Sequence, residues 1–376
     1  MAKQILVSTA ARIKVIGVGG GGCNAVTRMV REQILGVEFY ALNTDSQALT
    51  LAECPHKMQI GEKLTRGLGA GGDHNIGQRA GEESRDDIRD MVGKADMVFI
   101  AVGMGGGTGT GAAPVVAEAA KETGALVIGI VTRPFSFEGV HRRLVAEEGI
   151  NQLIGYCDTL IIVPNDRLLP LCDARSRMDS AFKMADDVLR QAVAAIAEVI
   201  TVPGMINLDY ADIRSVMKDA GPAWLSIGKG TGQNRATDAA KAALASPLLD
   251  ISIEGAKGVL YTVSGGSSLA LHEVNQAAEL IKGAVDPEAN IIFGVTHDPK
   301  MDSEVRITLV ATGFRTKAGV TPLKPEELRR LLKAPEEGGL DVPSFLRGPL
   351  TVRRQQMLSR ASQATGRPVH TSISGR

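Results

Sequence analysis

The chain has 376 residues, 44% hydrophobic and 22% charged, with a formal net charge of zero; that length allows two domains around a substantial core. Balanced charge and an aromatic content of only 3% exclude a generic nucleic-acid binder or a base-stacking surface. No apolar run approaches the ~20 residues that span a bilayer, Met1 to Ala11 lacks the apolar core of a signal peptide, and the scattered Cys23, Cys54, Cys157 and Cys172 fit a reduced, cytoplasmic compartment.

In chain order, Arg12 to Val18 reads as a buried strand, followed by a glycine run and a helical stretch from Asn24 to Glu32. Val37 to Leu42, Asp96 to Val102, Leu126 to Val131 and Thr159 to Val163 are further apolar, β-rich runs. Helical patterns lie between several of them, as from Ala112 to Thr123. The alternation predicts an α/β fold: a Rossmann-like domain with a parallel sheet and covering helices. Asp179 to Ile200 is one long helical pattern, ended by Pro203-Gly204, long enough to run between two domains. Beyond it, strands at Val259 to Val263, Ile291 to Val295 and Val305 to Ala311, with a helix from Leu269 to Ile281, predict a second, smaller α/β domain. The expected division is residues 1–178, a central helix at 179–203, a second domain at 204–314, a linker at 315–339 and a tail at 340–376. The tail carries six arginines and no acid after Asp341, so it is expected to be disordered when alone.

Two glycine loops carry the chemistry. Gly17-Val18-Gly19-Gly20-Gly21-Gly22 satisfies G-x-G-x-x-G between a strand and a helix, which fits a dinucleotide fingerprint or a plain tight turn. Asp45, near the end of the second strand, could serve as a ribose acid in the first case. The second loop, Gly103-Met104-Gly105-Gly106-Gly107-Thr108-Gly109-Thr110-Gly111, again joins a strand to a helix. Its glycines let backbone N–H groups approach an anion, its threonines add hydroxyls, and the positive end of the next helix can face a phosphate. Neither loop ends in the Gly-Lys-Ser/Thr of a P-loop, so backbone dipoles, with a metal, must hold the phosphates. A third stretch, Gly67-Leu68-Gly69-Ala70-Gly71-Gly72, could close over the terminal phosphate.

The run Gly105-Gly106-Gly107-Thr108-Gly109-Thr110-Gly111 resembles the signature of the tubulin/FtsZ family, and Ala112-Ala113-Pro114-Val115-Val116 is typical of its FtsZ branch. The likeness extends over about residues 12 to 314 through Ala41-Leu42-Asn43-Thr44-Asp45, Arg133-Pro134-Phe135-Ser136-Phe137-Glu138-Gly139, Pro164-Asn165-Asp166-Arg167-Leu168-Leu169, Asn207-Leu208-Asp209-Tyr210-Ala211-Asp212 and Ala289-Asn290-Ile291-Ile292-Phe293-Gly294. The resemblance implies a GTPase that polymerises head to tail at the division site of the cell, turning GTP into GDP and phosphate. It implies that Gly20, Gly21, Gly22, Gly71, Gly106, Gly107, Thr108, Gly109 and Thr110 surround the phosphates, and that Glu138 and Arg142 flank the sugar and phosphates. Asn24, Asn165, Phe182 and Asp186 would then form the guanine pocket, although Phe182 taken alone reads as core on an amphipathic helix. Magnesium is the expected metal, a monovalent cation is admitted, and no metal ligands are assigned. Asp73 departs from the asparagine usual in the family and would add negative charge near the terminal phosphate; Trp224 stands where smaller aliphatic residues are common.

Asn207, Asp209 and Asp212 follow a Pro-Gly break at a helix start, where Asp209 could be an N-cap and Asp212 a favourable first-turn acid. The resemblance instead inserts this loop into the next subunit's nucleotide pocket, where the two carboxylates would position the attacking water. Leu340 to Arg347 resembles the family's C-terminal peptide, with Asp341, Val342, Pro343, Phe345, Leu346 and Arg347 offered to membrane tethers and division regulators. A relative serving DNA partitioning or cell shape, and a dinucleotide-dependent oxidoreductase, are the competing readings; the second explains the first glycine loop but not the second.

Overall fold

The computed structural model describes residues 11–171, 177–201, 206, 208–246, 253, 255–298 and 301–314. Asn207, the linker and the whole tail with its peptide lie outside the described residues, as does Pro203-Gly204. The first half runs β1 (Ile13–Val18), α1 (Gly19–Arg31), β2 (Val37–Asn43), α2 (Ser46–Leu51), β3 (His56–Gln59), α3 (Glu62–Thr65), α4 (His74–Glu83), α5 (Arg85–Val92), β4 (Met97–Gly103), α6 (Gly107–Glu122), β5 (Leu126–Arg133), α7 (Val140–Leu153) and β6 (Thr159–Pro164). After α8 (Met178–Thr201) come α9 (Tyr210–Met217), β7 (Gly221–Thr231), α10 (Arg235–Leu244), β8 (Gly258–Gly265), α11 (Leu271–Ala284), β9 (Asn290–His297) and β10 (Glu304–Thr312).

Among the described residues the strands form one sheet, ordered β3-β2-β1-β4-β5-β6-β7-β10-β8-β9. From β3 to β7 every pairing is parallel, and β10 then runs antiparallel to both β7 and β8. The order of the first six strands reverses direction between β1 and β4, and that switch point opens a crevice at the carboxyl ends of the strands. Register sets Val18 opposite both Leu42 and Val102, so the glycine segments after β1 and β4 leave the sheet side by side.

Both faces of the parallel half are covered, which is why its strands read as continuous apolar runs. Cys23, Val26 and Met29 of α1 share one cluster with Leu189, Val193 and Ile196 of α8. Ile88 of α5, Val116 of α6 and Ile150 of α7 lie in the cluster on the other face. The same α8 cluster takes in Leu225, Leu260 and Val310, so the long helix packs on strands of both halves, as its length predicted. A third cluster holds Ala239 of α10, Ala277 and Ile281 of α11, and Val263 and Ile307.

Both glycine segments turn out to be first turns of helices rather than free loops: α1 begins at Gly19 and α6 at Gly107. A first turn leaves its N–H groups without helical partners, so the segment keeps its donors while adopting helical angles. Trp224 is 1% exposed in β7, opposite Ala311 of β10. Its place is the core of the second half, and Trp224→Ala should lower unfolding free energy by about 3–5 kcal/mol in a urea titration.

Candidate nucleotide site

A cavity of about 440 Å³ sits in the crevice at the switch point. Its walls include Gly20, Gly21 and Asn24 of α1, Gly106, Gly107, Thr108 and Gly109 at the start of α6, Glu138 and Arg142, Asn165 after β6, and Phe182 and Asp186 of α8. These positions span more than 160 residues of chain, and the fold brings them to one space. Gly103 and Met104, within the second glycine loop, also line it, as do Thr132, Pro134 and Ala185, which were not anticipated. Those three hold strand-end, turn and helix positions, and neither Thr132 nor Ala185 falls in a recognisable motif.

Glycine occurs here for two different reasons. A Cβ on Gly20 or Gly106 would meet no protein atom within 4 Å, so the room a side chain would take is open space at the cavity wall. Other positions are glycine because backbones touch. A Cβ on Gly111 would lie 1.9 Å from the His74 carbonyl oxygen, and one on Gly77 would lie 2.2 Å from that of Gly107, so α4 and α6 meet along a glycine seam. A Cβ on Gly109 would press on Val102 and on the Val18 and Gly103 carbonyl oxygens; one on Gly22 would strike the Ala101 carbonyl oxygen at 2.3 Å. The alternating motif therefore serves helix and strand packing as much as ligand approach. Gly22 and Thr110 do not line the cavity: the Thr110 hydroxyl is buried and accepts the Gly105 N–H at 2.9 Å, bracing the turn. Thr108 does line it, its hydroxyl 2.6 Å from that of Thr44.

At the other end of the cavity the groups are polar and incompletely used. Asn165 is 5% exposed, and its Oδ1 has no hydrogen-bond partner. Leaving such an oxygen dry costs about 1–3 kcal/mol. Asp186 accepts the Arg28 Nε–H at 3.3 Å. Its carboxyl is pushed up to about 6, chiefly by burial, even with the Arg28 charge and hydrogen bond drawing it down. Phe182 is not core: it stands 38% exposed on the cavity wall, edge-on to Phe135 at 5.5 Å and to Phe137 at 6.3 Å. Glu138 accepts the Phe135 N–H at 2.9 Å and pairs with Arg142 at 2.5 Å, which fixes both side chains on one wall.

Gly71 belongs to an adjoining cavity of about 590 Å³, shared with Gly72, Asp73, His74, Gly106 and Arg142. Asp73 is the N-cap of α4, its carboxylate accepting the Asn75 N–H at 2.8 Å, and that bond holds its pKa below the ordinary carboxylate range. The added charge is thus answered by a helix N-terminus. Asp45 likewise caps α2 through the N–H groups of Gln47 and Ala48, so it is not free to act as a ribose acid. Asp209 and Asp212 are exposed at the start of α9, away from either cavity lining; the Asp212 carboxylate accepts the Asp209 N–H at 3.3 Å. No group of three or more His, Cys, Asp or Glu suited to a metal occurs among the described residues.

The model of the Tubulin/FtsZ family GTPase domain matches residues 12–173, and that of the FtsZ family C-terminal domain matches residues 221–315. An empty FtsZ dimer from M. jannaschii is 44% identical with a TM-score of 0.81, the match covering 84% of this chain and 92% of that one. The chain belongs to the FtsZ family. A mutant FtsZ of the same organism agrees equally well, at 44% identity and a TM-score of 0.81, over 84% of this chain and 94% of its own. CetZ2 from Haloferax volcanii, described as a GTPγS-bound protofilament, shares the fold at 19% identity and a TM-score of 0.72, over 86% of this chain and all of its own. As an FtsZ-family protein the chain is a GTP-binding GTPase of the polymerising cytoskeletal class. The oxidoreductase reading is thereby set aside, and no helix among the described residues is long and apolar enough to cross a membrane.

Proposed function

We propose that this chain binds GTP in the switch-point cavity and hydrolyses it only when a second copy docks head to tail. The observation that carries the reading is the pairing of two unlike ends in one cavity. At one end, helix starts and side-chain-free walls at Gly20 and Gly106 suit an anion; at the other, Asp186 and the unpartnered Asn165 Oδ1 await donors. Guanine presents two N–H donors on the edge where adenine presents one donor and one acceptor. An ionised Asp186 accepts from both guanine donors, Asn165 takes a further one, and Phe182 supplies a face for the base. N–H groups in the first turns of α1 and α6 meet the phosphates together with Thr108. Glu138 and Arg142 flank the sugar and phosphates.

Magnesium, when bound, would neutralise charge between the phosphates. Such an ion is commonly held through the phosphates, water and one or two carboxylates. A monovalent cation is also admitted. Asp209 and Asp212 lie outside the cavity of their own chain, which supports their service, with Asn207, to a neighbour's GTP. There they would orient the attacking water and take its proton. That the relative from M. jannaschii is described as a dimer supports self-association of this chain. The wider reading places filaments in the cytoplasm at the division site, in a septal ring tethered to the membrane through Asp341, Val342, Pro343, Phe345, Leu346 and Arg347. The proposed division of labour is nucleotide binding by 1–178, the helix 179–203, polymerisation and activation by 204–314, reach by 315–339 and partner binding by 340–376.

A nucleotide panel tests the base assignment. GTP should bind well above ATP, and Asp186→Ala should weaken GTP binding by roughly 1–3 kcal/mol in equilibrium titrations. Equal affinities for the two nucleotides in the unaltered protein would refute the assignment.

A further inference from the structure

We propose that Arg28 is a positioning residue for base specificity: it keeps the Asp186 carboxylate ionised and oriented toward the nucleotide base. The inference rests on the assignment of Asp186 to guanine. Asn24 and Arg28 are one turn apart on α1, and Phe182 and Asp186 are one turn apart on α8, so each helix presents a matched pair to the other. Asn24, Phe182 and Asp186 line the nucleotide cavity, whereas Arg28 lies behind them in an adjoining hollow of about 390 Å³. The Arg28 Nε–H reaches Asp186 Oδ2 from that side, leaving Oδ1 and the second lone pair of Oδ2 for the ligand.

The plain alternative is an ion pair that merely joins two helices. Arg28 and Asp186 side chains are 31% and 17% exposed, so the pair is largely sheltered from water and removing one partner also costs stability. The pair also bears on protonation, because Asp186 is already pushed upward by burial. The charges around it are few. Asp179 and Asp187 on its own helix favour the neutral form, while Lys183 is engaged by Asp179, and Arg31 of α1 is held by Glu53. Across the cavity Glu138 and Arg142 neutralise each other. Arg28 is thus the cation in direct contact with the carboxylate. A protonated Asp186 would offer one donor and one acceptor, which complements the edge of adenine rather than that of guanine. Loss of Arg28 therefore threatens selectivity in a pH-dependent way, whereas a loss of helix packing alone would be independent of pH.

The test measures GTP and ATP affinities of the full chain from pH 5.5 to 8.5 for the unaltered protein and for Arg28→Met, Arg28→Gln and Arg28→Lys. In the unaltered protein the GTP preference should be full above about pH 6.5 and decline below about 6, roughly tenfold per unit. In Arg28→Met and Arg28→Gln the midpoint should rise by about one pH unit or more, with full preference regained at high pH. Arg28→Lys should restore the original midpoint. An unchanged midpoint in both neutral variants, or a loss of affinity equal at every pH, would overturn the proposal. Asp186→Asn separates the two ideas: if it retains the full GTP preference, the guanine assignment itself fails, whatever Arg28 does.

Discussion

Turnover per subunit should be close to zero in dilute protein and should climb steeply above a threshold concentration. Asp209 and Asp212, proposed to activate water, are exposed and do not line the cavity proposed for GTP. On that proposal a lone subunit would hold its nucleotide without the groups that cut it. Phosphoryl transfer depends mostly on positioning and electrostatics, so docking alone can switch it on. Asp212→Ala should bind GTP as the unaltered protein does and lose ~10²-fold or more in turnover at saturating protein concentration. The carboxylate also accepts the Asp209 N–H, so Asp212→Asn is the better control for helix integrity. It keeps an acceptor at the helix start and should still lose most activity. Turnover that stays constant per subunit across a hundredfold dilution would contradict the arrangement.

Gly106→Val and Gly111→Ala should fail in opposite ways. At Gly106 an added Cβ meets no protein atom within 4 Å, and φ is −93°, a value open to any residue. The fold should accept valine there, with a melting temperature near that of the unaltered protein. The new methyl groups would take up space at the cavity wall, where the phosphates are proposed to lie. Displacing one or two charge-assisted backbone bonds, worth about 1.5–3 kcal/mol each, should weaken GTP binding roughly a hundredfold. At Gly111 the added Cβ would overlap the His74 carbonyl oxygen at 1.9 Å, on the seam between α4 and α6. That overlap should cost about 1–3 kcal/mol or more in stability and lower the melting temperature before any question of ligand arises. Thermal melts beside nucleotide titrations separate the two. A destabilised Gly106→Val that still binds GTP normally would show that the wall has been misread.

Much of this was legible in the sequence because the parallel half writes its pattern plainly. Strands buried on both faces give unbroken apolar runs, and Ile13 to Val18 or Met97 to Gly103 can hardly be anything else. The short edge strand His56–Gln59 was not legible, being four residues, three of them polar and two exposed. Nor was β7, whose Gly221-Pro222 start and later Gly228 and Gly230 obscure a strand that runs to Thr231. At the site, motif spacing located the glycine segments, but not which glycine faces the cavity and which faces a helix. Gly106 and Gly111 look alike in sequence and differ only through α4, more than 25 residues upstream. Thr110 read as a ligand donor; in the fold its hydroxyl accepts the neighbouring Gly105 N–H and does not line the cavity. The Arg28–Asp186 pair joins residues 158 apart, and no local pattern announces it.

Complementation between two inactive variants tests the split site most directly. Asp212→Ala keeps an intact cavity and lacks the acid; Gly106→Val keeps the acid and lacks a usable cavity. Each alone should hydrolyse almost no GTP. Mixed in equal amounts at high concentration, they should regain a substantial fraction of normal turnover, because every contact that sets an Asp212→Ala cavity against the α9 face of a Gly106→Val copy is complete. A mixture no more active than its components, with GTP bound and the two variants shown by sedimentation to associate, would contradict hydrolysis by carboxylates supplied from a neighbour.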